Sequence, residues 1–177
     1  MEIVNIVATV TLDRPLDLSA LHELLPGSKM PKTGSPWLQY RLAPENYYIP
    51  FYRSGKFLVN GLRSVDSILP VADRVISILN NAGLDVKATA ITVHNIVAVD
   101  SLETSIPMER VFEALLSMGE RVEYEPEQFP GLIVKRGGGS FLLFPTGKLV
   151  VTGLSTSLIP LHDYNHSSSH LASFAYP

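Results

Sequence analysis

The 177-residue chain contains no cysteine. Disulfides, thiolate metal sites and a cysteine nucleophile are therefore excluded, and a reducing interior is compatible with the composition. No apolar run approaches the roughly 20 residues of a membrane span. The opening MEIVNIVATV has no basic stretch followed by a cleavage site, so no secretory signal is expected. Basic excess is missing too: 18% of residues are charged and the net charge is −3. A polyanionic partner usually meets a basic domain, so any such partner would have to find a local basic stripe. Enzymatic signatures are equally scarce. Gly137-Gly138-Gly139 lacks the Gly-Lys-Ser/Thr of a phosphate loop and reads as a hairpin turn. Scattered Ser, His and Asp residues have no spacing that assembles a triad. His162, His166 and His170 recur every fourth residue and on a helix would share a face able to hold zinc or nickel. Their Ser-rich surroundings assure no helix, and we read them as a surface tail. Neither a metal nor another cofactor is expected, and the protein reads as a non-enzyme.

What is present is apolar and repetitive. Hydrophobic residues make up 46% of the chain, enough for a sizeable core. Asn5-Ile6-Val7-Ala8 returns as Asn95-Ile96-Val97-Ala98, Ser54-Gly55-Lys56 as Thr146-Gly147-Lys148, and Gly61 as Gly153. Between these anchors Ser35-Pro36-Trp37-Leu38 stands opposite Phe129-Pro130-Gly131-Leu132, and Arg41 opposite Lys135. Units of this length are too long for a solenoid, so a duplicated domain is expected, with repeats at 1–90 and 91–177.

Each repeat reads strand, helix, several strands, helix. Residues 3–11 are β-branched and apolar, as a strand requires. Asp17 is placed to cap a helix running through Leu25. Strands are expected at 37–42, 47–53 and 56–60, and a helix at 67–82 that tolerates Pro70 in its first turn and ends before Gly83. In the second repeat the pattern predicts a strand at 91–99, a helix at 106–118 after a Ser105 cap, and strands at 131–136, 140–145 and 148–152. The class is α+β, a sheet with helices on one face. Several strands are nevertheless apolar at both parities. Ile6, Ala8 and Val10 share one side of the first strand, while Asn5, Val7 and Thr9 share the other. Helices on one face only would leave the second apolar face, edged with lysine, for a partner. A two-layer core without such a surface is the alternative.

These residues resemble the core domain of the TATA-box-binding proteins over nearly the whole chain. The resemblance is carried by Asn5-Ile6-Val7-Ala8-Thr9-Val10, the doubled Gly-Lys anchors, and Tyr124-Glu125-Pro126-Glu127-Gln128-Phe129-Pro130-Gly131-Leu132-Ile133. It continues through Phe144-Pro145-Thr146-Gly147-Lys148 and Thr152-Gly153. It implies a saddle-shaped, curved antiparallel sheet of two pseudo-symmetric repeats with helices on the convex face. The family is a standard example of minor-groove binding with wedge side chains that kink the duplex. The implied function is that of a transcription initiation factor that binds and bends A·T-rich promoter DNA. A divergent interaction module with weak or no DNA binding is the alternative.

Carried over by position, Asn5, Val7, Leu58, Asn60, Asn95, Val97, Leu142, Val150 and Thr152 match residues on the groove floor. Asn60 stands where the family has threonine, and Pro50 opposite Leu142. Phe129 and Phe144 match the wedge pair of the second repeat. In the first repeat that pair falls on Ser35 and Tyr52, and Trp37 becomes a substitute only under a small shift of alignment. The bend is accordingly expected to lie mostly at the end gripped by the second repeat, with Ser35→Phe restoring symmetry. Arg41, Lys56, Lys135 and Lys148 match phosphate contacts and supply the basic stripe. Glu125, Glu127 and Gln128 match the turn gripped by a transcription factor B-like protein, with Gln128 in place of leucine. The resemblance leaves open a homodimer formed through the concave face without DNA. It implies a cytoplasmic, nucleoid-associated protein if archaeal, which the acidic balance favours, and a nuclear one if eukaryotic.

Overall fold

The computed structural model describes residues 1–32 and 34–160, with side chains through Ser155. His162, His166 and His170 lie outside the described residues. The elements are β1 (Glu2–Leu12), α1 (Leu18–Leu24), β2 (Trp37–Leu42), β3 (Tyr47–Tyr52), β4 (Lys56–Leu62), α2 (Ile68–Asn81), β5 (Ala88–Ser101), α3 (Met108–Ser117), β6 (Arg121–Glu123), β7 (Leu132–Arg136), β8 (Gly139–Leu143) and β9 (Lys148–Pro160). The strands run β2-β3-β4-β1-β5-β9-β8-β7-β6 in hydrogen-bonded order. Two compact units divide the chain. The N-terminal unit holds Ile6–Val93 with the end of β9 from Thr156, and the C-terminal unit holds His94–Ser155 with Met1–Asn5.

In the N-terminal unit, alternation along each strand decides the core. Ile6, Ala8 and Val10 of β1, Ile49 and Phe51 of β3, and Phe57 and Val59 of β4 are fully buried. The helices supply the other wall. Asp17 caps α1 by accepting the N–H groups of Ser19 (2.9 Å) and Ala20 (3.2 Å), and the helix then buries Leu18 and Leu21. Helix α2 buries Ile68, Leu69, Val71, Ala72, Val75 and Leu79, a stripe at helical spacing. It stops at Ala82, where Gly83 takes a φ of +92°. Phe51 and Phe57 meet with ring centroids 5.6 Å apart. Burying a side chain of this size contributes about 1.5–3 kcal/mol.

The C-terminal unit repeats the strand pattern with a thinner cover. Leu132 and Val151 are buried, but their face-mates Val134, Phe141, Leu143 and Leu149 stay partly exposed. Of α3, only Met108 is buried. Among the described residues this unit has no second helix matching α2.

Each Gly-Lys hairpin is tied to the segment that follows the first strand of its repeat. Leu12 N–H donates to the Gly55 carbonyl (2.7 Å) and Leu16 N–H to that of Arg53 (3.1 Å). In the second repeat Leu102 N–H donates to Gly147 (3.0 Å) and Ile106 N–H to Pro145 (2.9 Å). Both glycines have left-handed backbone, at φ +77° and +82°, and a Cβ would sit 2.1 Å from the Arg14 carbonyl oxygen or 2.4 Å from that of Thr104. That close approach is why glycine precedes lysine in both copies.

Four local expectations need correction. Ser105 does not cap α3. The Ile106–Pro145 bond holds the chain extended there, so the helix starts at Met108, with Pro107 at the capping position and no side-chain cap. Strand β6 was not expected, because three residues are too few for a periodic signal. Gly61 and Gly153 do not end their strands. With φ of +109° and +80° they let β4 run on to Leu62 and β9 to Pro160. Opposite Gly61 the β1–β4 register slips between Ile6 and Val7, as a β-bulge requires. Strand β8 ends at Leu143, before Phe144 and Pro145. The Gly137-Gly138 turn does join β7 to β8, with Arg136 opposite Gly139 and both central φ angles positive.

Gly55→Ala should lower the free energy of unfolding by about 1–3 kcal/mol, the usual cost of forcing a strained backbone conformation. Urea titration measures it, and an unchanged midpoint would show that the hairpin shifts at no cost.

Candidate nucleic-acid interface

In each unit the strand positions opposite in parity to the core form a second, partly exposed face. In the N-terminal unit Val7 pairs with Asn60, Thr9 with Leu58 and Thr11 with Lys56, while Tyr52 pairs with Lys56 and Tyr48 with Asn60. Val7, Leu58, Asn60 and Tyr52 are each half-buried, although their strand neighbours Ala8, Phe57, Val59 and Phe51 are fully buried. Lys56 is exposed at the hairpin end. Arg41 is exposed on β2, its guanidinium 4.8 Å above the ring of its cross-strand partner Tyr48, and it donates to the Asn46 carbonyl at 3.3 Å.

The C-terminal unit arranges the same residue types. Leu142 pairs with Val150 and Ser140 with Thr152. Asn5, Asn95, Val97, Leu142, Val150 and Thr152 are all half-buried. The Asn95 amide oxygen accepts the Gly153 N–H at 2.9 Å and the Thr152 hydroxyl at 3.3 Å. Two donors on the oxygen assign the orientation of the amide. Its NH2 end is therefore what remains to address a ligand. Gly153, inside β9 with a φ of +80°, presents one of the two donors, so a glycine within the strand helps to aim the side chain.

Phe129 and Phe144 come together, edge to face, with centroids 5.6 Å apart. Gly131 makes room for them: a Cβ there would lie 2.7 Å from Phe129 Cε1 and 3.2 Å from Phe144 Cε1. Lys148 is exposed, and the carbonyl of Lys148 accepts the Phe144 N–H at 2.9 Å. Lys135 is exposed but paired with Glu123 at 2.7 Å. Among the described residues no carboxylate pairs with Arg41, Lys56 or Lys148.

Glu125, Glu127 and Gln128 lie exposed on a tight turn after β6. The Gln128 and Phe129 N–H groups both donate to the Glu125 carbonyl at 2.9 Å, and the Gln128 amide bonds the Glu125 carboxylate. Tyr124 packs on Phe112 of α3 with centroids 6.2 Å apart. The turn is thus stapled at both ends, with its carboxylates toward solvent. No helix among the described residues is long and apolar enough to cross a membrane, and no three His, Asp or Glu side chains among them cluster as metal ligands would.

Ser35 departs from the sequence expectation. The residue is only 1% exposed, its N–H donates to the Lys32 carbonyl at 3.1 Å, and its hydroxyl accepts the Trp37 N–H at 3.4 Å. A phenylalanine has no space there, so Ser35→Phe would not create a surface ring. The sequence marks Gly131 and Gly153 as repeat and family positions but gives neither a role at the site. The exchange of Trp37 for Gly131 between the aligned repeats is the signal for the first.

Comparison with known proteins is consistent across sequence and fold. The family model described as transcription factor TFIID (or TATA-binding protein, TBP) matches residues 1–82 and 90–158. The chain is 35% identical over 175 residues to TATA-box-binding protein F of Halobacterium salinarum, covering 97% of this chain and 92% of that protein. It is 39% identical over 153 residues to the TATA-box-binding protein of Picrophilus torridus, covering 84% and 82%. The solved structure of Methanococcus jannaschii TBP superposes with a TM-score of 0.71 at 28% identity, covering 88% of this chain and 89% of that one.

Ser35→Phe should destabilise the N-terminal unit by about 1–3 kcal/mol, as overpacking does. Thermal unfolding followed by circular dichroism measures it, and a melting temperature at or above the wild-type value would show that the site is not closed.

Proposed function

The chain belongs to the TATA-binding protein family, and we propose that it serves as a general transcription initiation factor that binds the minor groove of A·T-rich promoter DNA and bends it. The observation that carries this reading is the oriented amide of Asn95. Its oxygen is occupied by Gly153 and Thr152, which leaves a donor. In the minor groove an A·T pair offers only acceptors, adenine N3 and thymine O2, so a donor suits it. A G·C pair adds the guanine amino group, which would meet both that donor and the apolar floor of Val97, Leu142 and Val150. Val7, Leu58 and Asn60 give the N-terminal unit a comparable floor, and Asn5 joins Asn95 as a base contact. The two repeats at 1–90 and 91–177 then each take one half of the site.

Arg41, Lys56, Lys135 and Lys148 contact phosphates in this reading. Lys135 must first leave Glu123, which costs little because an exposed pair contributes about 0–1 kcal/mol. Phe129 and Phe144 are the wedge of the C-terminal unit. Binding and bending need no covalent step, so the protein is not an enzyme and requires no cofactor. The acidic turn of Glu125, Glu127 and Gln128 is the docking point for a transcription factor B-like protein. Without DNA, the half-exposed apolar faces suit a homodimer. Archaeal relatives favour a cytoplasmic, nucleoid-associated location.

Fluorescence anisotropy at matched salt should show tighter binding to an A·T-rich duplex than to a G·C-rich one, by about 1–3 kcal/mol per substituted base pair. Equal affinities would sink the readout. A second measurement isolates the phosphate contacts. Lys148→Ala should weaken every duplex similarly and lower the salt slope by about one, whereas an unchanged slope removes Lys148 from that set.

A further inference from the structure

We propose that Trp37, with Tyr52 beside it, is the DNA wedge of the N-terminal unit, taking the part that Phe129 and Phe144 play in the C-terminal unit. The inference rests on the minor-groove reading above and assigns a side chain that the family pattern leaves without a role.

The hairpins give the equivalence. Gly55 N–H donates to the Tyr52 carbonyl at 3.1 Å, and Gly147 N–H to the Phe144 carbonyl at 2.9 Å, so Tyr52 stands where Phe144 does. Trp37 is the cross-strand partner of Tyr52. Leu132 pairs with Leu143, which puts Gly131, the residue before β7, beside Phe144. Trp37 therefore occupies the Gly131 position.

That exchange explains why Ser35 can be small. In the C-terminal unit, Phe129 fills the space that a side chain at Gly131 would need, since a Cβ would come within 2.7 Å of its ring. A side chain at this position would thus displace the aromatic ring two residues earlier from where it meets Phe144. The C-terminal unit has phenylalanine and then glycine; the N-terminal unit has buried serine and then tryptophan. Aromatic bulk is conserved at the end of each half-site but is carried by a different backbone position.

Trp37 is also held as a wedge must be. Leu38 after it is fully buried, and the Ser35 hydroxyl accepts its backbone N–H. The backbone is thereby anchored on both sides while the indole stays partly exposed. It lies at the edge of the face that carries Tyr52 and Lys56, as Phe144 adjoins Lys148. Insertion between base steps needs apolar area of this kind. The indole N–H and the phenol O–H are donors that the phenylalanine pair lacks, so the two ends of the bound duplex meet unlike chemistry.

Trp37 is the only tryptophan in the chain, so its emission reports on it alone. The full chain is titrated with an end-labelled A·T-rich duplex, reading label anisotropy and tryptophan emission together. Quenching of the emission in step with the anisotropy is expected. Trp37→Phe should keep binding and bending. Trp37→Ala should weaken binding about tenfold, in the range of a lost base–aromatic stack, and reduce the bend seen by energy transfer between the duplex ends. If anisotropy rises while emission stays unmoved, or if Trp37→Ala bends the duplex like the wild type, the wedge assignment fails and the DNA-binding reading stands. If no duplex raises the anisotropy, both fail. Should Trp37→Ala not fold, the wild-type emission and the Trp37→Phe bend decide alone.

Discussion

Every feature of this protein depends on the two-sidedness of its strands. Successive side chains point to opposite faces, and here both faces carry apolar residues. One is dry because helices cover it. Phe51, Phe57 and Val59 vanish beneath α1 and α2, while Tyr52, Leu58 and Asn60, one position away on the same strands, remain half-exposed. A face that is apolar yet uncovered is costly in water, and a partner that covers it recovers that cost. A partner surface follows from this constraint, and the oriented Asn95 amide is what points that surface to the minor groove.

Within that face small residues do the positioning. Gly153 turns a backbone N–H onto the Asn95 amide and so decides which end of it addresses a ligand. Gly131 leaves the space in which Phe129 and Phe144 meet. Gly55 and Gly147 let each lysine hairpin close onto the segment that follows the first strand of its repeat. Side chains that make contacts are easy to name in a sequence. The glycines that aim them are not, because their effect is space left open or a left-handed φ.

The repeats are unequal in two respects. The N-terminal unit has a fully buried core under α2, whereas the C-terminal unit keeps Phe141, Leu143 and Leu149 partly exposed. At the ends of the candidate half-sites, one unit carries a phenylalanine pair and the other a tryptophan and a tyrosine. A duplicated domain is free to diverge in this way when each half-site needs only aromatic area at its end, since two different backbone positions can supply it.

The sequence by itself determined the duplication, the α+β class, the order of the strands and helices other than β6 and a closing helix in the second repeat, and the identities on the open face. Period-two and helical patterns are local, and the Asn-Ile-Val and Gly-Lys anchors recur in order. The Asp17 cap and the Gly137-Gly138 turn were legible for the same reason. Only the tertiary structure decided the rest. Ser105 lost its cap to a hydrogen bond between Ile106 and Pro145, distant in sequence. Gly61 and Gly153 came to lie inside strands, the first at a bulge against β1, because β4 and β9 continue past them. Ser35 proved closed to any ring, and Trp37 came to stand across from Tyr52. Each of these depends on which strand lies beside which and in what register, and register is set by packing between residues that no local pattern connects.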